Sequence, residues 1–159
     1  RGSAAYKGLA ALLLEEGSHD LLTGDPLELI TYCEQAVDIH HLFPRAWCQR
    51  QGLPKAKWNS AVNKAPLTAR TNRKIGGRAP STYLSKIDES LSPERVDQLL
   101  QSHLVEPEHL RSDDFERFIQ TRAAALLDAI ERATGRPVQG RDSEETLNAF
   151  GAPLDRKSA

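Results

Sequence analysis

Apolar residues recur at helical spacing near the start of the chain and again in its second half. Leucines 9, 12 and 13 give residues 4–16 an apolar face, and a glycine follows where that helix would end. Ser92 and Pro93 predict the start of another helix, because Ser is a good N-cap and Pro suits the first turn. We expect Ser112 to cap the longest helix, whose apolar stripe consists of Phe115, Phe118, Ile119, Leu126, Leu127 and Ile130.

The pattern between these helices is shorter and mixed. Residues 36–41 and residues 65–68 each suit a short strand, and residues 69–75 suit a helix that two glycines end. Residues 27–35 fit a helix or a strand equally well. The chain becomes polar from residue 136, and we expect this last part to be loose.

The composition is that of an ordinary globular protein. The chain has 159 residues, of which 39% are hydrophobic and 27% charged, enough for one domain with its own core. No apolar stretch approaches the roughly 20 residues that cross a membrane, and no signal peptide is visible, so we expect a cytoplasmic location. The two cysteines, Cys33 and Cys48, lack the spacing of a zinc site, and we expect free, buried thiols rather than a disulfide.

The net charge of −1 hides a strongly basic middle section. Residues 39–87 contain ten Lys or Arg and no Asp or Glu, whereas both flanking sections are acidic. Clustered positive charge attracts the phosphate backbone of nucleic acids and releases its counterions. A solvated basic face is the alternative, but 49 consecutive residues without a carboxylate favour a phosphate-binding surface.

Two adjacent histidines, His40 and His41, stand at the start of this basic section, with Asp38 before them and Pro44 after them. Imidazole is suited to proton transfer near neutral pH, and its neutral form binds metal ions. A nearby carboxylate can orient an imidazole or help to hold a cation. The alternative is a strand end with one buried and one exposed histidine. Because neighbouring residues of a strand face opposite sides, both can serve one site only if the strand bends or ends there.

A second polar segment follows, with Asn63 and Asn72 in the stretches WNSAVN and LTARTNRKIGG. Alone, these asparagines would be ordinary turn or cap residues. Together with the histidine pair, residues 38–84 resemble the HNH nuclease domain of GmrSD-type restriction enzymes and SspE-like phage-defence proteins. The combination that carries the resemblance is His-His-x-x-Pro, a central Asn, and Asn-Arg-Lys on a predicted helix.

The resemblance implies a role for each of these residues. His41 matches the general base that takes a proton from the attacking water, and His40 and Asn72 match metal ligands. Asn63 matches the asparagine that ties down the loop and helps to hold the base. Asp38 would be a further ligand or support a ligand. Mg²⁺ is the expected metal, with Mn²⁺, Ni²⁺ or Zn²⁺ as alternatives because one ligand is a histidine.

The resemblance also implies a fold, a substrate and partners. The expected fold is α+β and mostly helical, with a small ββα-metal core flanked by helices. We expect an N-terminal helical segment (1–35), the core (36–78), a C-terminal helical part of the same domain (79–135) and a loose polar tail (136–159). The substrate would be DNA, which one such site nicks. The basic residues expected to contact it are Arg45, Lys64, Arg70, Arg73, Lys74 and Arg78.

In the resembling bacterial proteins, sensing and nucleotide hydrolysis belong to an N-terminal domain. We therefore expect a domain excised from a longer restriction or antiviral-defence protein. This sequence departs from colicin-like relatives, because Gly76 stands where they place a second helix histidine, and it lacks the four-cysteine zinc site of others. His19, His103 and His109 lie outside the motif, and we expect them at the surface or at helix ends.

Three other interpretations remain open. The chain could be a basic DNA-binding module without catalysis, although binding alone requires none of His40, His41, Asn63 and Asn72. It could be a zinc-stabilised interaction domain, although the sequence shows no complete tetrahedral set of Cys and His. It could also be an RNase or a toxin-type nuclease with the same chemistry.

Overall fold

The computed structural model describes residues 4–27 and 38–156, which form an α+β fold that is mostly helical. The elements in chain order are α1 (Ala4–Glu15), β1 (Asp38–His41), α2 (Arg45–Arg50), α3 (Lys55–Trp58), a 3-10 turn (Ala61–Asn63), β2 (Lys64–Leu67), α4 (Ala69–Ile75), α5 (Pro80–Asp88), α6 (Pro93–Gln101), α7 (Pro107–Arg111), α8 (Phe115–Thr134) and α9 (Glu144–Phe150). Within the described residues, no helix is both long and apolar enough to span a bilayer.

The two strands form an antiparallel pair, in which His41 lies opposite Lys64 and Asp38 lies opposite Leu67. Thr68 caps α4 directly after β2, because its hydroxyl accepts a hydrogen bond from the backbone N–H of Thr71. The strands and this helix form the ββα unit that the sequence predicts. All four residues of β2 are buried, since α1 packs against the strand.

Aromatic packing connects the chain just after β1 to the helical part. The ring of Phe43 lies 5.2 Å from that of Phe115 and 4.9 Å from that of Phe118, both on α8, measured between centroids. Tyr83 on α5 donates a hydrogen bond of 2.9 Å to the carbonyl of Leu42. The segment that follows His41 is thus fixed on a helical scaffold by apolar contacts and a buried hydroxyl.

The cap of the longest helix differs from the prediction. Ser112 ends α7, and Asp114 caps α8 by accepting a hydrogen bond from the N–H of Arg117. Asp113 lies between them at a φ of 57°, the left-handed conformation that turns the chain from α7 into α8. Ser112, Asp113 and Asp114 are all polar and are all possible caps. The left-handed turn at Asp113 places Asp114 at the N-cap position.

The predicted loose tail is wrong for residues 143–154. Ser143 caps α9, and Leu154 is 3% exposed in a cluster with Ala123 and Ala124 of α8. Arg141 also pairs with Asp128 at 2.7 Å. The segment is polar overall because it packs only one face on α8.

Two expectations for single residues concern buried side chains. His103, expected at the surface or a helix end, is fully buried between the N-terminal loop and α8. Cys48 is a free, buried thiol as predicted, and burial raises its pKa to about 11. Cys33 lies outside the described residues, so the state of the pair stays a prediction.

Candidate active site

Asn63 anchors the segment that directly follows the histidine pair. Its amide group donates hydrogen bonds to the carbonyls of Phe43 at 3.0 Å and Trp58 at 2.8 Å, and it accepts one from the N–H of Phe43 at 2.9 Å. The side chain is fully buried. A buried amide with these three hydrogen bonds fixes the backbone at Phe43 relative to the backbone at Trp58. Leaving any of these buried groups unpaired would lower the stability of the fold.

His41 is the last residue of β1 and is held by Asn59. The Nε2 atom lies 3.1 Å from Oδ1 of Asn59, and the imidazole ring lies 5.7 Å from that of Trp58. An amide oxygen can only accept a hydrogen bond, so Nε2 carries the proton of the neutral ring. Nδ1 is then the nitrogen with the free electron pair.

The surroundings of His41 favour its neutral form. Burial lowers its pKa below the ordinary value, and the charges of Lys64, His40 and Arg45 lower it further. The hydrogen bond to Asn59 acts in the opposite direction, because the amide oxygen stabilises the protonated ring. A base at this position is therefore available at neutral pH.

His40, His41 and Asn72 line one cleft of about 490 Å³. The strand ends at His41, and Pro44 forms part of the same wall, which allows both histidines to reach one space. The other lining residues come from α2, from α4 and from the two glycines after it. Residues 31 and 32 positions apart in the sequence thus meet at one place.

Two glycines bring α2 and α4 together at this cleft. Gly76 has φ 59° and ψ −142°, a conformation that residues with a side chain avoid. A Cβ added at Gly77 would approach the Cβ of Ala46 to 3.0 Å. Through this close approach, Arg45 and Gln49 of α2 line the same cleft as Asn72.

The predicted DNA-contacting residues fall into three places. Arg45 lines the cleft itself, and Lys74 and Arg78 are exposed at the end of α4. Arg70 and Arg73 line a neighbouring cleft beside the loop of residues 20–27. Lys64 differs from the others, because its Nζ is buried against Tyr6, 2.7 Å from the hydroxyl and 4.2 Å from the ring centroid.

The positive charge of this region is largely uncompensated. Among the ten basic residues between positions 39 and 87, only Lys57 forms an ion pair within the described part of the chain, with Glu116 at 2.7 Å. The cleft is lined by no carboxylate of the described residues. Such a surface is suited to a polyanion.

The donor set of the cleft fits a divalent cation that keeps most of its water. His40 offers an imidazole nitrogen and Asn72 an amide oxygen. Within residues 4–27 and 38–156, no three His, Cys, Asp or Glu side chains are grouped to hold a metal. A hydrated ion on a His–Asn pair is a different kind of site from a closed zinc centre. The side chain of Asp38 lies outside the described residues.

Sequence reasoning missed several residues that support this site. Asn59 lies in the polar stretch that also contains Asn63, but no local sequence pattern indicated its contact with His41. Asp20 contacts α4 from 48 and 51 positions away. Arg122 of α8, fully buried, donates hydrogen bonds to the carbonyls of Val62 and His103. No periodic pattern predicts such long-range polar contacts.

Comparisons with known proteins place this chain beside an archaeal protein. The chain is similar to the uncharacterized protein MJ0686 of Methanocaldococcus jannaschii, with 27% identity over 152 aligned residues. The similarity covers 81% of this chain and 25% of that protein, so the chain spans about a quarter of the length of its relative. No family model matches, and no solved structure matches.

Proposed function

We propose that this chain is a metal-dependent HNH-type DNA endonuclease domain that nicks one strand. The observation that carries the proposal is the meeting of His40, His41 and Asn72 in one cleft, which Arg45 also lines. A base, two metal-ligand candidates and a cation for the phosphate are the groups that phosphodiester hydrolysis needs. A surface that only binds DNA requires no oriented imidazole.

His41 is the general base of the proposed reaction. Its Nδ1 takes a proton from a water molecule while the water oxygen forms a bond to phosphorus. The bond from phosphorus to the 3′-oxygen breaks, and that oxygen leaves as a hydroxyl after it gains a proton from solvent. Asn59 keeps the ring in the tautomer that this step requires, because it accepts the Nε2 hydrogen.

The positive groups offset the charge of the phosphate. Arg45 lies in the cleft, where its guanidinium can donate two parallel hydrogen bonds to phosphate oxygens. A divalent cation held by His40 and Asn72 would act as a Lewis acid for the phosphate and the leaving oxygen. Arg70, Arg73 and the other exposed basic residues would bind the backbone on either side.

The proposal includes a cellular setting. We place the domain in a cytoplasmic restriction or antiviral-defence protein, in which a separate N-terminal domain senses DNA and hydrolyses nucleotide. The similarity covers 25% of the archaeal relative, which supports the view that such a stretch is part of a larger protein.

The test is a supercoiled-plasmid assay with Mg²⁺ or Mn²⁺, with EDTA as the metal control. We expect wild type to produce open circles, and His41→Ala to be slower by roughly 100-fold or more. His109→Ala is the matched control, because this half-buried histidine lies on α7, outside the cleft. It should cut like wild type.

Other outcomes would select the alternatives. Binding of DNA without cleavage under any metal would favour a binding module. Stoichiometric, tightly held zinc without cleavage would favour a structural zinc domain. Faster cleavage of single-stranded or duplex RNA than of DNA would keep the chemistry and change the substrate.

A further inference from the structure

Asp20 is a buried carboxylate with no role in the proposed chemistry. It lies in the loop after α1 and is 1% exposed. An ionised carboxylate is expensive to bury, and burial alone raises the pKa of Asp20. Hydrogen bonds from Thr71, Leu22, Thr23 and Thr68 outweigh that effect and leave the pKa below its ordinary value. The carboxylate is thus a stable anion in the interior of the protein.

Two residues at the start of α4, Thr68 and Thr71, donate hydrogen bonds to this carboxylate. Thr71 donates its hydroxyl to the carboxylate oxygens at 2.7 and 2.8 Å. Thr68, the N-cap, donates its hydroxyl at 2.9 Å and its backbone N–H at 3.3 Å. Both residues come from about 50 positions away along the chain, so Asp20 joins two distant segments.

The loop around Asp20 is itself fixed. The N–H groups of Leu22 and Thr23 donate to its carboxylate at 3.0 and 3.1 Å. His19 pairs with Pro26 across the loop, and its carbonyl accepts a hydrogen bond of 2.7 Å from Nε2 of His103. The carboxylate therefore accepts hydrogen bonds from its own loop as well as from the start of α4.

The helix that Asp20 holds is too short to be stable alone. α4 has seven residues, and helices of this length in water do not persist without tertiary contacts. Its buried residues are Thr71 and Ile75, and two glycines follow it. Asn72 is the next residue after Thr71, and its side chain lines the cleft.

We propose that Asp20 is a positioning residue of the active site, which sets the place of Asn72 relative to His40 through its hydrogen bonds to Thr68 and Thr71. The inference rests on the proposed metal site. Without the carboxylate, the first turn of α4 frays and the amide oxygen of Asn72 no longer stays at one distance from the imidazole of His40. Metal affinity falls, whereas the chemistry of His41 is untouched.

The test compares Asp20→Asn and Thr71→Val with wild type. Asparagine keeps the shape but replaces one acceptor oxygen by a donor, and valine removes only the hydroxyl on the helix side. We expect both variants to need about tenfold more Mn²⁺ for half-maximal cleavage, with an unchanged KM for DNA. Thr71→Ser keeps the hydroxyl and should retain the Mn²⁺ requirement of wild type.

Asp113→Asn is the matched control. Asp113 accepts hydrogen bonds from the N–H and hydroxyl of Ser81, at 2.8 and 2.7 Å, and so holds the first turn of α5 in a comparable way. Loss of this contact should lower the melting temperature without a change in the Mn²⁺ requirement. A purely structural role for Asp20 would give the same result as this control.

Two readouts are independent of cleavage. Hydrogen exchange of the backbone amides in residues 69–75 should become faster in Asp20→Asn and Thr71→Val, and binding of Mn²⁺ alone, followed by electron paramagnetic resonance, should weaken by the same factor. Unchanged exchange and unchanged Mn²⁺ binding in both variants would overturn the inference. If wild type cuts no DNA, the proposed function fails, and the exchange data still decide whether Asp20 holds α4.

Discussion

The ββα unit and the helical part that follows it are stabilised by different kinds of contact. The unit, residues 38–78, consists of two four-residue strands and short helices, and buried hydrogen bonds of Asn63 and Asp20 hold them in place. The helical part, residues 79–156, packs apolar stripes around the 20-residue helix α8 and contains most of the ion pairs, such as those of Arg111 with Asp88 and Asp97.

This difference separates function from stability. The apolar packing of the helical part tolerates substitutions that change the shape or charge of surface residues. In the ββα unit, a few hydrogen bonds at fixed distances position the side chains of the cleft. Substitutions in the ββα unit should therefore affect cleavage first. Substitutions in the helical part should affect the free energy of unfolding first. The following changes test that division, beginning with the largest expected effect.

Asn63→Asp lies in the ββα unit, but it should impair both cleavage and the stability of the fold. A carboxylate cannot donate to the carbonyls of Phe43 and Trp58, so each of these buried groups would lose the hydrogen bond that it accepts from the side chain. We expect a loss of about 4 kcal/mol in the free energy of unfolding by urea, together with loss of nicking. Asn148→Asp on the exposed face of α9 is the matched control and should change neither. A stable, active Asn63→Asp protein would show that this amide does not anchor the loop.

His103→Gln should change stability alone, through pH. Burial lowers the pKa of His103 to about 4, and the groups that face it are His19, Asp20 and Arg122. In the unfolded chain the pKa is about 6.5. Between these values the unfolded state binds a proton that the folded state does not, so the stability of wild type falls as the pH drops through this window.

The expected size of this effect is about 3 kcal/mol between pH 7 and pH 4. Glutamine can still donate to the carbonyl of His19 but has no proton to gain. Denaturant unfolding at several pH values should therefore give a flatter profile for the variant, with nicking at neutral pH retained. Parallel profiles for the two proteins would contradict the assignment of acid sensitivity to His103.

Asn59→Ala should change cleavage alone. It removes the acceptor for Nε2 of His41 and leaves the ring free to exchange tautomers. Because a neutral hydrogen bond contributes about 1 kcal/mol, we expect nicking to slow by roughly five- to tenfold. The melting temperature is the companion measurement, and a large fall in it with an unchanged rate would mean that Asn59 supports the fold rather than the base.

Arg45→Ala and Arg73→Ala should have the mildest effect, on the salt dependence of DNA binding. Each lost phosphate contact lowers the slope of log K against log salt by about 0.9. Lys86→Ala is the matched control, since Lys86 is exposed on α5, away from both clefts. Equal slopes for all three variants would show that DNA does not follow the surface from α2 to α4.

The elements that the sequence predicts well are those whose signals are local. Residues 69–75 are helical as expected, because Thr68 and the glycines after Ile75 provide a cap at each end. The same holds for the helix after Ser92, whose hydroxyl accepts from the N–H of Arg95. The α+β class was expected from the resemblance, and the structure confirms it.

Other features depend on contacts between distant segments and could not be predicted. Lys64 belongs to a basic run, but β2 is covered by α1, which buries this lysine against Tyr6. The ordering of residues 143–154 requires the surface of α8. Asp20 finds its hydroxyl partners across about 50 positions. The roles of His41 and Asn72 were expected from a resemblance, and the structure adds their common cleft and the contact of Asn59.

Chemical rescue tests most directly whether His41 is the base of a nuclease. His41→Ala should cut supercoiled DNA with Mn²⁺ slower than wild type by roughly 100-fold or more, and added imidazole should restore part of that rate. Asn72→Ala should gain nothing from imidazole, because its defect lies in the metal site. A His41→Ala protein that cuts as fast as wild type without imidazole would contradict the account.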